Sequence, residues 1–309
     1  MATSVGEIRG SRRYVTVDVF TRRVFGGNPL AVVLDARGLT AAQMQAIAAE
    51  FNYSETTFIL PPRDSSHTAE VRIFTARTEV PFAGHPNIGT AVALAEELQA
   101  QGGSAPERFL FEEAAGPVAI RLLREGGAVI GAELTAPQPL AVGPAVSVED
   151  AAACVTLARE EIAQSIHPPR VVSVGLPFLV VELTSRDALR RAKPNALVHE
   201  RVLPAAGTDA VFAYVRGPQV GCLEARMFAP LDATIEDPAT GSAAAATIAL
   251  LTQLQPEPDA DLAWQIEQGV DMGRPSLILG RTAKRAGLVS AVHVAGHAVP
   301  VMQGVLSIA

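Results

Sequence analysis

Residues 71–98, VRIFTARTEVPFAGHPNIGTAVALAEEL, lie over residues 225–252, ARMFAPLDATIEDPATGSAAAATIALLT, with a shift of 154 positions, about half of the 309-residue chain. Arg72-Ile73-Phe74 meets Arg226-Met227-Phe228, one Pro/Gly-rich turn meets another, and a small-residue apolar helix follows each. The pattern is that of a duplicated strand-turn-helix unit. Both helices are apolar nearly all round: Ile88, Ala91, Val92, Leu94, Ala95 and Leu98 in one, Ala243 to Ala246, Ile248, Leu250 and Leu251 in the other. A helix without a polar face is buried on every side.

Something must enclose these helices, and the surrounding sequence supplies strands. YVTVDVF, LAVVLD, ETTFIL, RFLFEE, VAIRLL, AVIGAEL, RVVSV, FLVVEL, AVFAYV, WQIEQG, SLILG and LVSAVHV are short runs with β character, punctuated by Gly, Pro and Asp. The expected fold is α+β, with two pseudo-symmetric domains, each a mostly antiparallel β-barrel wrapped round a central helix. A doubly wound parallel sheet fits this excess of strands less well. Amphipathic helices are expected at Thr40–Phe51, with Thr40 as N-cap, and at Val148–Gln164, capped by Ser147 or Asp150. Glu125–Val142, with two glycines and two prolines, is the expected crossing between halves. Residues 1–127 then form the N-terminal barrel, with the strand at 296–309 available to complete it, and residues 128–295 form the second.

Composition narrows the function. Apolar residues at 49% against 18% charged exclude a disordered chain. The longest apolar run, Ala243–Leu251, falls well short of the about 20 residues that span a bilayer. No apolar h-region follows MATSVGEIRGSRRYV, so a cytoplasmic protein is expected. Cys154 and Cys222 are too few and too distant for a disulfide framework or a thiolate metal site, and both read as packing residues. A net charge of −7 argues against nucleic acid and anionic membranes as partners. A small molecule is the expected partner.

Each buried helix starts at a turn of small residues, PFAGHPNIG at 81–89 and EDPATGSAA at 236–244. Free N–H groups and the positive end of the helix dipole make such starts sites for carboxylates or phosphates. If the halves pack about a pseudo-twofold axis, both turns face one cleft. The first turn carries His85; the second carries Asp237 and Ser242. Burial of His85 needs a partner, and Asp237 is either that partner or a second acid/base. Glu55 opens a strand, and spacing alone reads it as a surface or capping carboxylate. His293 and His297 form HxxxH, but their surroundings read as two strands and a turn, which does not place two imidazoles on one helical face. His167-Pro168-Pro169 reads as a loop entering the strand RVVSV. No nucleotide-binding glycine motif and no G-x-S-x-G is present.

VDVFTRRVFGGNPLAVV (17–33), NYSETTF (52–58), RIFTARTEVPFAGHPNIGTA (72–91), FEEAAGPV (111–118), EDPATGSA (236–243) and QGVDMGRPS (268–276) follow one another across nearly the whole chain. Their order and spacing resemble the PhzF-like phenazine biosynthesis family, whose fold is similar to diaminopimelate epimerase, with an active site between two similar domains. Diaminopimelate epimerases and proline racemases present a cysteine from each helix-starting turn; here Ala83 and Asp237 stand at those places, so two-thiol racemisation is not expected. The resemblance implies instead a cofactor-independent isomerase whose best-known member moves a hydrogen within trans-2,3-dihydro-3-hydroxyanthranilate. It maps the single acid/base onto Glu55, with His85, Asp237 and Ser242 as companions. The amides near Gly84 and Gly241 are the expected donors to a substrate carboxylate, and Arg274 is a candidate ligand for the same group. No metal and no cofactor are expected, and the family habit is a homodimer. A catalytically silent binding or scaffold protein, or an epimerase or lyase on a related carboxylate, remains the alternative.

Overall fold

Alternating burial along short strands dominates the computed structural model, which describes residues 10–232 and 234–308. The fold is mixed α+β, with few helices among many strands. It divides into two units: Met1–Phe25, Pro29–Ala132 and His297–Ala309 form the first, and Gly26–Asn28 with Glu133–Gly296 form the second. The chain crosses from one to the other inside strands, at Ala132/Glu133 and again at Gly296/His297.

The first unit contains β1 (Arg12–Val19), β2 (Asn28–Val33), α1 (Ala41–Phe51), β3 (Glu55–Leu60), β4 (Ala69–Phe74), β5 (Glu79–Val80), α2 (Gly84–Ala100), β6 (Arg108–Glu113), β7 (Gly116–Glu125) and most of β8 (Ala128–Thr135). It also holds the later half of the last strand, β17 (Leu288–Leu306). The pairings run β1–β2, β2–β3, β3–β4, β4–β6, β6–β7, β7–β8, β8–β17 and back from β17 to β1, a closed ring of eight strands. Pairs β2–β3 and β4–β6 are parallel, and each is bridged by a helix, α1 and α2 respectively, as parallel neighbours require. Gly89 shows how closely α2 approaches the ring: a Cβ there would lie 2.6 Å from Leu30 Cδ2 and 2.8 Å from Val19 Cγ2. The hydroxyls of Thr57 on β3 and Thr90 on α2 meet at 2.7 Å. Helix α1 starts at the expected cap: Thr40 accepts from the Gln43 amide, the Gln43 side chain accepts from the Thr40 amide, and Asn52 closes the helix in the left-handed region.

The second unit contains β9 (Ala141–Ala145), α3 (Val148–Cys154), β10 (Arg170–Ser173), β11 (Pro177–Glu182), α4 (Arg186–Arg191), α5 (Ala196–Ala206), β12 (Val211–Arg216), β13 (Cys222–Ala229), β14 (Thr234–Asp237), α6 (Gly241–Gln253), β15 (Ala260–Gln268), β16 (Ser276–Arg285) and the first half of β17. From β2 to β7 the pairing senses run parallel, antiparallel, parallel, antiparallel; from β11 to β16 they run the same way. Like side-chain contacts accompany these like pairings. The Arg72 guanidinium lies 5.2 Å over the Phe74 ring and grips Glu79 through two 2.7 Å bonds. The Arg226 guanidinium lies 4.9 Å over Phe228 and grips Glu236 at 2.8 and 2.7 Å. Glu79 and Glu236 are 157 positions apart, as are Gly84 and Gly241, so the second turn has three residues more than the strand shift of 154 implies.

Three sequence expectations change. The helix expected over Val148–Gln164 stops at Cys154, because Thr156 takes a positive φ of 55° and the chain continues through a short 3₁₀ turn at Arg159–Glu161. Helices α4 and α5 were not anticipated. LVSAVHVAGHAVPV is part of one continuous strand rather than two strands and a turn. Cys154 is fully buried among apolar side chains, and burial pushes its thiol up to about 12, so it packs as expected. No helix among the described residues is long and apolar enough to cross a membrane.

Because the space beside Gly89 is filled by two strand side chains, Gly89→Ala is expected to destabilise the protein by about 1–3 kcal/mol through overpacking. Chemical denaturation of the variant beside the parent measures it, and an unchanged midpoint would contradict the packing described.

Candidate active site

The first unit places Glu55 and His85 together. Glu55 opens β3, in register with Leu30 on the parallel β2. His85 is the second residue of α2 and is buried, with Nε2 3.5 Å from Glu55 Oε2. Burial lowers the His85 pKa to about 3, so the imidazole is neutral at physiological pH and the pair is a carboxyl beside a neutral ring. Ala83, at the N-cap, offers no side-chain oxygen to the first-turn amides. Pro86 has no N–H to satisfy, and the Asn87 side chain donates from Nδ2 to the Ala83 carbonyl at 3.0 Å. A buried helix start whose N-cap residue supplies no side-chain acceptor thus lies beside a carboxyl and an imidazole.

The second unit arrives at an uncapped start by another route. Thr240 is the N-cap of α6, but its hydroxyl donates to Asp237 Oδ2 instead of accepting from the helix. Asp237, at the end of β14, is buried and accepts at Oδ1 from Asn28 Nδ2 at 2.9 Å. Asn28 Nδ2 also donates to the Ala239 carbonyl at 3.0 Å. Gln268, at the end of β15, accepts from the Thr240 amide at 3.1 Å and donates to the Asp237 carbonyl at 2.8 Å. Next to it Gly269 has φ +74°, and a Cβ there would fall 2.3 Å from the Arg274 carbonyl oxygen and 2.6 Å from that of Pro238. Only glycine fits that turn. Gly241 and the half-buried Ser242 open the helix.

Arg274 is engaged with backbone. Its Nε donates to the Gly27 carbonyl and its Nη2 to the Gly26 carbonyl, both at 2.7 Å, while the Gly27 amide donates to Pro275. The guanidinium therefore fastens the segment that presents Asn28. Sequence reasoning singled out neither Asn28 nor Gln268, although both stand inside quoted motifs. His293 and His297 sit on β17, with their Nδ1 atoms 3.0 Å from Thr135 Oγ1 and 3.2 Å from the Ile130 carbonyl. Among the described residues no three His, Cys, Asp or Glu side chains converge as metal ligands would. A cavity of about 410 Å³ in the first unit is walled by Arg63, Asp64, Glu112, Glu113, Gly116 and Pro117, a different set from Glu55 and His85.

Comparison with known proteins gives a consistent assignment. The family model described as phenazine biosynthesis-like protein matches residues 17–304. An uncharacterized isomerase of Mesorhizobium japonicum is 38% identical, over 96% of this chain and 99% of its own. The trans-2,3-dihydro-3-hydroxyanthranilate isomerase of Pseudomonas chlororaphis is 35% identical, over 95% of this chain and 98% of its own. Among solved structures, a PhzF-family phenazine biosynthesis protein of Bacillus anthracis superposes with a TM-score of 0.85 at 25% identity, covering 96% of this chain and 99% of that one.

Asn28→Asp sets a second carboxyl against Asp237. The variant is expected to lose more than about 2 kcal/mol at pH 7, through like-charge repulsion and the lost donor to Ala239. The deficit should shrink as pH falls and the two carboxyls share a proton. Thermal melting at pH 7 and pH 4 checks both the loss and its direction.

Proposed function

The chain belongs to the phenazine biosynthesis-like protein family and is an isomerase, and we propose that it shifts a hydrogen within a small conjugated or amino carboxylate of the trans-2,3-dihydro-3-hydroxyanthranilate type, without a cofactor. In this reading Glu55 takes a proton from a C–H group, and the electron pair left behind spreads into the conjugated system. The same carboxyl then returns a proton at another carbon, so that the substrate gains and loses no electrons. His85, neutral, hydrogen-bonds in the site without competing with Glu55 for the proton. The amide at Gly84 in the first unit, and the amide at Gly241 with Ser242 in the second, are each donors suited to a carboxylate, and Asp237 hydrogen-bonds or delivers a proton. Arg274 serves the site through the Gly26–Asn28 segment that it holds.

The observation that carries the reading is the approach of Glu55 to a neutral His85 at a buried helix start whose N-cap residue supplies no side-chain acceptor. The full-length likeness to an isomerase of the named substrate supports the choice of carboxylate. The repeated order of strand pairings and the twin Arg-x-Phe sites support reading the units as halves of a duplicated diaminopimelate epimerase-like fold. The proposal extends to a homodimer, on the family habit, and to the cytoplasm, as expected from the sequence.

Incubation with trans-2,3-dihydro-3-hydroxyanthranilate in deuterated buffer, followed by ultraviolet absorbance and NMR, tests the reaction. Glu55→Gln is expected to lower kcat by about 10²–10⁴-fold, the usual contribution of a positioned acid/base. Its melting temperature should still rise with the ligand. Conversion at the parental rate in the variant would remove Glu55 from the mechanism.

A further inference from the structure

Glu113 is the last residue of β6 and lies on the same strand face as Phe109 and Phe111. All three are buried, and the two phenylalanine rings stack at 5.8 Å. The polar group beside the Glu113 carboxyl is the side chain of Asn87, in the first turn of α2. Asn87 Nδ2 donates to the Ala83 carbonyl, and this fixes the amide orientation, since the reverse would set two oxygens face to face. The result is a surplus of acceptors. Asn87 Oδ1 and both Glu113 oxygens are buried and make no hydrogen bond to protein. A carboxylate and an amide oxygen cannot satisfy each other, and an unmade buried bond is costly. One proton on Glu113 turns the conflict into a hydrogen bond.

We propose that Glu113 is held as a neutral carboxylic acid that donates to Asn87 Oδ1, and that it is a positioning residue for the α2 turn carrying His85. The chain of contacts runs from Glu113 through Asn87 to the Ala83 carbonyl, one residue before the helix start. The charged groups around it leave Glu113 alone. Its neighbour Glu112 alternates to the other face of β6, where the amides of Asp64 and Arg63, with His67, hold it down to about 2. Arg63, which shares the cavity wall, is turned to Glu112 and Glu70, and Asp64 accepts from Ser66. On α2, His85 is neutral. With no cation bonded to it among the described residues, burial pushes the Glu113 carboxyl up to about 8.

The positioning role rests on the reading of Glu55 and His85 as the reacting pair; the protonation does not. A glutamate ionises near 4.5 in the unfolded chain and near 8 in the folded one. Below 4.5 both states hold the proton; between 4.5 and 8 only the unfolded state releases it, so stability falls as pH rises through that window. Glu113→Gln keeps a donor for Asn87 Oδ1 and has no proton to lose. Its melting temperature is therefore expected to gain on the parent as pH rises, by about 5 °C or more at pH 8. Infrared difference spectra at pH 6 should show a protonated-carboxyl C=O band in the parent that Glu113→Gln removes. Parallel melting curves, or no such band, would overturn the proposal, and neither measurement needs a substrate. In the isomerase assay, the alkaline fall in kcat/KM should move to higher pH in Glu113→Gln. Glu113→Leu, which leaves Asn87 Oδ1 without a donor, should lose about tenfold in kcat/KM at every pH. An alkaline limb that stays in place in Glu113→Gln, with the infrared band lost, would overturn the positioning role and leave the protonation standing.

Discussion

A helix with no polar face can exist in water only if other elements enclose it, and enclosure takes its first-turn N–H groups away from solvent. Both α2 and α6 are buried from their first residue. The usual remedy, a side-chain oxygen at the N-cap, is missing in both: Ala83 has none, and the hydroxyl of Thr240 is drawn off to Asp237. The polar groups that the fold does supply, Asn87, Asn28 and Gln268, bind carbonyls, a carboxylate or the residue before the helix. The absence of a side-chain acceptor at either N-cap thus goes with the burial of both helix starts.

The turns that lead into these helices need their own anchorage. In the first unit Arg72 ties β4 to β5 through Glu79, four residues before Ala83. In the second, Arg226 ties β13 to β14 through Glu236, the residue before Asp237, and its Nη1 also reaches the carbonyls of Leu189, Arg190 and Ala192. A guanidinium whose fork matches a carboxylate, with its flat face on a phenylalanine, is well suited to positions such as these, half-buried for Arg72 and buried for Arg226. The planar group fixes both the distance and the angle at which each turn leaves its hairpin.

What the sequence made legible was whatever repeated or alternated. The paired helices, the Arg-x-Phe strands and the Thr40 cap all follow from local pattern, and the structure carries each of them. Local pattern failed where a single residue or a distant one decides. Pro204 inside α5 and the six-residue length of α4 hid two helices, since proline argues against a helix interior and one short turn has no period to read. Thr156 ended α3 through a backbone conformation that its side chain does not announce. Glu55 looked like a surface carboxylate because its proximity to His85 depends on the folding of β3 against α2, thirty residues along the chain. Asn28 was invisible as a partner of Asp237 for the same reason, at a separation of 209 residues. Glu113 was not singled out in the sequence either, although in RFLFEE it alternates with Phe109 and Phe111, the period that sets one strand face.

The division of the chain has a consequence for the order in which the protein is made. The ring of the first unit closes only when β17 pairs with β1, Leu306 against Arg12 and Ala298 against Val19. The second unit takes Gly26–Asn28 from the beginning of the chain and is otherwise complete at Gly296. During synthesis from the N-terminus, the second unit therefore has all its residues before the first does. The N-terminal segments must wait, with their barrel open, until the part of β17 that follows Gly296 has left the ribosome.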